Sequence, residues 1–177
     1  MSSLLEGRNV NLRVVEKEDL PLWADMNNNL EFFGEFMWFP QNSRTELAKR
    51  YENLTPDNKW FFIEKKDGTK IGGIIHFLAG NLEIGYLLVP SERRKGYCSE
   101  AVMIMVDYLF LSKDVARVQA HTDVGNEGSQ KTLEKAGFKK EGTLRKSFFM
   151  RGELRDAYVY SILREEWKQP KILTKTA

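Results

Sequence analysis

The chain reads as a mixed α/β domain, a mostly antiparallel sheet of about seven strands with four helices. Three observations predict this: short alternating apolar runs, stretches of helical apolar spacing between them, and turn residues where one period gives way to the other. A length of 177 residues suits a single core. One domain is expected over residues 1–170, with a polar tail, 171–177, that frays after Pro170.

Val10, Leu12 and Val14 alternate with their neighbours as a strand with one buried face, ending near Glu16. From Glu18 to Asn29 the residues Leu20, Leu22, Trp23 and Met26 recur at helical spacing, with Pro21 in the first turn, where its missing N–H does little harm. An aromatic patch, Phe32 to Phe39, precedes Pro40, and Ser43 with Glu46 is a capping-box signature for a second helix through Leu54. Trp60 to Lys65, Ile71 to Phe77 and Leu82 to Val89, joined by turns at Asp67-Gly68 and Ala79-Gly80-Asn81, form a three-strand meander. After a polar loop, Ala101, Val102, Met105, Val106, Leu109 and Phe110 share one stripe of a long helix that must pack on the sheet. Val115 to Thr122 reads as a strand, Glu127 to Ala136 as a helix stopped at Gly137, and Phe138 onward as a final hairpin turning at Arg151-Gly152.

An apolar fraction of 42% and a formal charge of +2 belong to soluble globular chains and imply no nucleic acid partner. The apolar runs are far shorter than the roughly 20 residues of a membrane helix, and the first residues lack a signal-peptide pattern. Cys98 is the single cysteine, so no internal disulfide exists, and with only two histidines no metal-ligand spacing is present. A cytoplasmic setting without membrane contact is expected.

The most specific local feature is the strand Leu82 to Val89 running through Arg93-Arg94-Lys95-Gly96-Tyr97-Cys98-Ser99 into a helix. A helix start leaves backbone N–H groups unpaired and concentrates about half a positive charge, so a pyrophosphate can supply the missing acceptors. Gly96 lets a ligand approach, and Arg93, Arg94 and Lys95 add charge along the path. The loop alone reads equally well as a solvated charge run before a helix-start glycine. A nucleoside-triphosphate loop is excluded, because Tyr97 and Cys98 follow Gly96 where lysine and a hydroxyl residue would be needed.

Arg93-x-x-Gly96-x-Cys98 resembles the Q/R-x-x-G-x-G/A acetyl-CoA signature of the GNAT acetyltransferase superfamily, and the stretch Glu83 to Ala101 resembles its ribosomal-protein N-terminal acetyltransferase branch. Asn126, Ser129, Leu133 and Gly137-Phe138 are similar to that branch's N-x-x-S then G-F pattern, and the likeness spans residues 8 to 167. Cys98 departs from the usual glycine or alanine. Read alone, a thiol at a helix start near arginines is also a candidate nucleophile, but no His or Asn partner can be assigned to it.

The resemblance implies acetyl-CoA as co-substrate, direct acetyl transfer to a primary amine, and a fourth and fifth strand that splay apart. Pantetheine would then pass between Leu87, Leu88 and Val89 and the strand Val118 to Thr122, with backbone N–H groups near Leu88 on the acetyl oxygen. Asn126 belongs to the same cofactor-facing set. Many family members carry a thiolate-protonating tyrosine seven residues after the asparagine; here that position is Leu133, which leaves Ser129 as the candidate. Ser129 also reads as an ordinary helix-start serine.

Glu83 is the candidate base, and also reads as a solvent-facing strand carboxylate. An α-amino group, with a pKa near 8 against about 10.4 for lysine, asks less of a base, which favours a protein N-terminal acceptor. Polyamine or antibiotic acceptors, and a silent acyl-CoA-binding regulatory domain, stay open, as does a homodimer. His76, His121, Tyr158 and Tyr160 read as structural, Asp156 as a holder of acceptor or dimer, and most of the aromatic patch as core.

Overall fold

The final sheet has eight strands, one more than the alternation predicts, in the computed structural model, which describes residues 4–37 and 41–173. The additional strand is β1 (Leu4–Glu6), whose Leu5 sits opposite Leu12 of β2 (Val10–Val14). Three residues are too few to show a period of two. After β2 come α1 (Leu20–Asn28), the four-residue α2 (Leu30–Phe33) and α3 (Arg44–Glu52), the last opened by the Ser43–Glu46 capping box. The meander is β3 (Lys59–Lys65), β4 (Lys70–Ala79) and β5 (Asn81–Leu88). Then follow α4 (Tyr97–Ser112), β6 (Arg117–Asp123), α5 (Glu127–Ala136), β7 (Lys139–Met150), β8 (Glu153–Leu163) and the four-residue α6 (Arg164–Trp167). The helices therefore number six among the described residues rather than four, because α2 and α6 are each too short to carry a helical period.

Strand order is β1-β2-β3-β4-β5-β6-β8-β7, antiparallel throughout except between β5 and β6. That parallel pair follows from α4, which carries the chain back to the end where β5 began, as parallel neighbours require. The last hairpin turns at Arg151 and Gly152, both at positive φ (52° and 85°), the paired left-handed geometry that suits a two-residue turn between twisted strands.

Both sheet faces are covered, so β3 is buried along nearly its whole length. Phe61 and Ile63 point to the α4 face, where Ile104, Met105 and Leu109 are fully buried. Trp60 and Phe62 point the other way, and Trp60 stacks on Trp23 of α1 at 5.4 Å. Of the segment expected to fray, Lys171, Ile172 and Leu173 instead give their backbone N–H groups to the buried Asp107 carboxylate at 2.7–3.0 Å. Residues 174–177 lie outside the described residues.

Candidate active site

β5 and β6 touch only at their starts, where Leu82 faces Val118 and Glu83 faces Gln119. Beyond that point β5 stays with β4 as far as Leu88, while β6 follows β8 from Arg117 to Asp123. The two strands diverge, leaving facing edges whose polar groups need partners. Val89 N–H bonds Ile71 O on the β4 side at 2.9 Å, so by alternation the N–H groups of Leu88 and Tyr86 point into the gap. Leu87 points its amide to β4 instead.

The loop after β5 ends with Arg94 (φ 63°) and Gly96 (φ 83°) in left-handed geometry. Gly96 caps α4 without any side-chain acceptor, so among the described residues no side chain caps the first-turn N–H groups of Tyr97, Cys98 and Ser99. A Cβ at Gly96 would meet nothing within 4 Å, which leaves room for a diphosphate to reach the backbone. Arg93 turns back, its Nε donating to Leu88 O at 3.0 Å and its terminal nitrogen to Phe32 O at 2.6 Å, which ties α2 to the end of β5. Lys95 is paired with Glu92 at 3.0 Å, and Arg94 is left exposed at the tip. Cys98 is partly buried, and burial pushes its thiol up to about 12, which disfavours the thiolate that a nucleophile needs at neutral pH.

Across the gap, Asn126 is the N-cap of α5: its Oδ1 accepts from Ser129 N at 3.1 Å. Ser129 Oγ lies 2.9 Å from the hydroxyl of Tyr86, which reaches over from β5. Burial holds the Tyr86 hydroxyl protonated far above its ordinary range. Tyr86 was not among the sequence candidates, because its partner lies 43 residues away. Leu133 is fully buried in the core.

Glu83 is not the solvent-facing carboxylate that one reading of its strand allows. It is buried at the apex of the splay, with Oε1 accepting from Gln119 Nε2 at 2.7 Å and Oε2 lying 3.1 Å from His121 Nδ1. His121, read from sequence as structural, lines the same cleft as Glu83, a placement that appears only once β5 and β6 are known to be neighbours. His76 is structural: fully buried, pushed down to about 4 by that burial, and 3.2 Å from Asp57 O.

From the Tyr86–Ser129 pair and the Glu83–His121 pair opens a cleft of about 800 Å³. Its walls are chiefly apolar, with Trp23, Phe33, Phe36, Phe77 and Phe148 prominent, and Arg50 is the one unambiguous cation among the described lining residues. Among the described residues Glu83 and Asp123 are the only carboxylates in its lining, and Asp123 is ion-paired with Arg155 at 2.7 Å. Phe32 packs beside the α1 face of the sheet, whereas Trp38 and Phe39 lie outside the described residues. Asp156 binds Lys146 N at 2.8 Å, a tie within the last hairpin. Tyr160 is buried and donates to Glu134, and Lys140 sits over the Tyr158 ring.

Residues 9–139 match the family model described as the acetyltransferase (GNAT) domain. The probable N-acetyltransferase YjcK of Bacillus subtilis is 31% identical, over 94% of this chain and 100% of the relative. Among solved structures, spermidine N-acetyltransferase from Vibrio cholerae in complex with CoA and spermine superposes with a TM-score of 0.79 at 24% identity, covering 91% of this chain and 99% of that one. RimL, a ribosomal L7/L12 alpha-N-protein acetyltransferase in complex with CoA, gives a TM-score of 0.81 at 17% identity over 91% and 98%.

Proposed function

The chain belongs to the GNAT acetyltransferase family and is an acetyl-CoA-dependent N-acetyltransferase, and on that premise we propose that its acceptor is the α-amine of a protein or peptide with apolar first residues. The observation that carries this is the cleft's charge inventory. A polyamine bears several cations spread along its length and needs several unengaged carboxylates, yet both carboxylates in the cleft already have protein partners and Arg50 stands in its wall. Aromatic and aliphatic walls suit side chains that follow an amine.

Within this reading, the unpaired amides of Tyr97, Cys98 and Ser99 hold the pyrophosphate, with Gly96 giving access and Arg94 the nearest exposed charge. Arg93 and Lys95 shape the loop, while Leu87 and Val89 hold β5 to β4 so that Leu88 N–H aims at the acetyl oxygen. Asn126 positions Ser129 by capping α5, and the Ser129–Tyr86 hydroxyl pair supplies a proton to the departing sulfur. Glu83 provides the negative charge on the amine side.

Release of free thiol from acetyl-CoA, measured with a panel of N-terminal peptides, polyamines and aminoglycosides, tests the proposal. Peptides with bulky apolar first residues should give the highest kcat/KM, at least about tenfold above spermidine, in line with one to two buried methylenes of discrimination. A preference for spermidine would overturn the acceptor assignment, and tight acetyl-CoA binding without any amine-dependent release would mark a silent binding domain.

A further inference from the structure

We propose that the proton leaving the amine goes to His121 Nε2, with Glu83 and Gln119 as positioning residues that fix the imidazole; this rests on the acetyltransferase reading. Glu83 is poorly placed to take the proton itself. Each of its oxygens already faces a protein nitrogen, Gln119 Nε2 at 2.7 Å and His121 Nδ1 at 3.1 Å, and its side chain is 11% exposed. The imidazole is more open, at 21%, and is part of the cleft wall beside Glu83.

The tautomer follows from the partner. An ionised carboxylate only accepts, so the hydrogen sits on Nδ1 and the lone pair on Nε2. Among the described residues nothing hydrogen-bonds to Nε2. The remaining charges nearby do not compete for it: Asp123, two residues on along β6, is held by Arg155 from β8, and the residue opposite His121 on β8 is the apolar Val159. The result is an acid–imidazole pair in the cleft wall with Nε2 left for the amine, its carboxylate steadied by Gln119.

The chemistry balances. A primary ammonium gives one proton to Nε2 and becomes a neutral amine; its nitrogen pair forms the C–N bond with the thioester carbonyl carbon. As the C–S bond breaks, its electron pair leaves with sulfur, which takes a proton from the Ser129–Tyr86 pair. That pair takes the second proton lost from nitrogen in the same step, so the Tyr86 hydroxyl, which burial keeps protonated, never stands ionised. The imidazolium, held against Glu83, returns its proton to solvent.

His121→Ala, Glu83→Gln and Gln119→Leu in the full chain test this, with kcat, KM and calorimetric acetyl-CoA affinity measured for each. His121→Ala should lose about 10²–10⁴-fold in kcat at unchanged cofactor affinity. Free imidazole should restore part of that loss in proportion to its concentration, while leaving the wild type unaffected. Glu83→Gln should lose at least about tenfold in kcat and gain nothing from imidazole, and Gln119→Leu should lower kcat more than it raises KM. Should His121→Ala fail to bind acetyl-CoA, His121→Gln is read by the same kcat criterion. A histidine variant within about threefold of wild type overturns the proposal. So does one that is inactive, binds cofactor normally and ignores imidazole. If the wild type itself transfers no acetyl group to any amine, the acetyltransferase reading has failed, which is a separate result.

Discussion

Cys98 shows two residue-scale effects in opposition. Its place in the first turn of α4, near Arg93, favours a thiolate, an effect worth about 1 kcal/mol at a helix end. Burial opposes it and is the larger, pushing the thiol up to about 12. A raised pKa keeps the group neutral at every pH below that value, so no appreciable thiolate exists between pH 6 and 9. Iodoacetamide should therefore alkylate the native protein at pH 8 at least about tenfold more slowly than the urea-unfolded chain. Cys98→Ala should retain transfer within about threefold, since the alanine keeps the backbone N–H and the small volume that the helix start requires. A hundredfold loss in that variant at unchanged acetyl-CoA affinity would give the thiol a part in transfer and overturn the assignment.

At the scale of elements, the candidate site lies where two strands part and one helix begins. α4 starts at a glycine with no capping side chain, and the proposed reading gives its first-turn amides to the pyrophosphate. Gly96→Glu should weaken acetyl-CoA binding at least about tenfold, through strain at φ 83° and a carboxylate placed against the pyrophosphate. Calorimetry decides it, and unchanged affinity would move the phosphate site elsewhere. Elements long enough to show a period were legible in the sequence: the α4 stripe, the β3–β5 meander, the Ser43–Glu46 cap and the Gly137 stop. β1, α2 and α6 were not, having three or four residues each. The loop's position was legible, but not the destinations of Arg93 and Lys95, since a charge run looks the same whether its side chains meet a phosphate, a carbonyl or a glutamate. Ser129 and Glu83 were visible as candidates, whereas Tyr86 and His121 gain their meaning only from contacts 43 and 38 residues distant, across a gap that no local pattern encodes.

For the molecule as a whole, α4 is the member to which the rest is tied. Near its start Glu100 accepts from Asn9 N at 2.7 Å and Val10 N at 3.3 Å, fixing the turn into β2. Just past its end Lys113 binds Asp57 at 2.7 Å, and Arg164 reaches back to Phe110 O. Asp107, between these ties, is fully buried and accepts from Trp167 Nε1 at 2.8 Å and from the amides of Lys171, Ile172 and Leu173. A buried carboxylate with four donors stabilises the docked C-terminal segment only while all four are present; removing it strands the donors. Asp107→Ala should cost about 3 kcal/mol, or about 6–12 °C in Tm for a chain of this size. Its kcat should stay within about twofold, because ten residues of helix put the site about 15 Å away. Truncation after Gln169 removes three of the donors, so Asp107→Ala in the truncated chain should cost about 1–2 kcal/mol less than in the full one. Additive losses would mean that Asp107 and the last residues stabilise the fold independently, and the tail would then be a passive cover on α4 rather than a strap fastened through it.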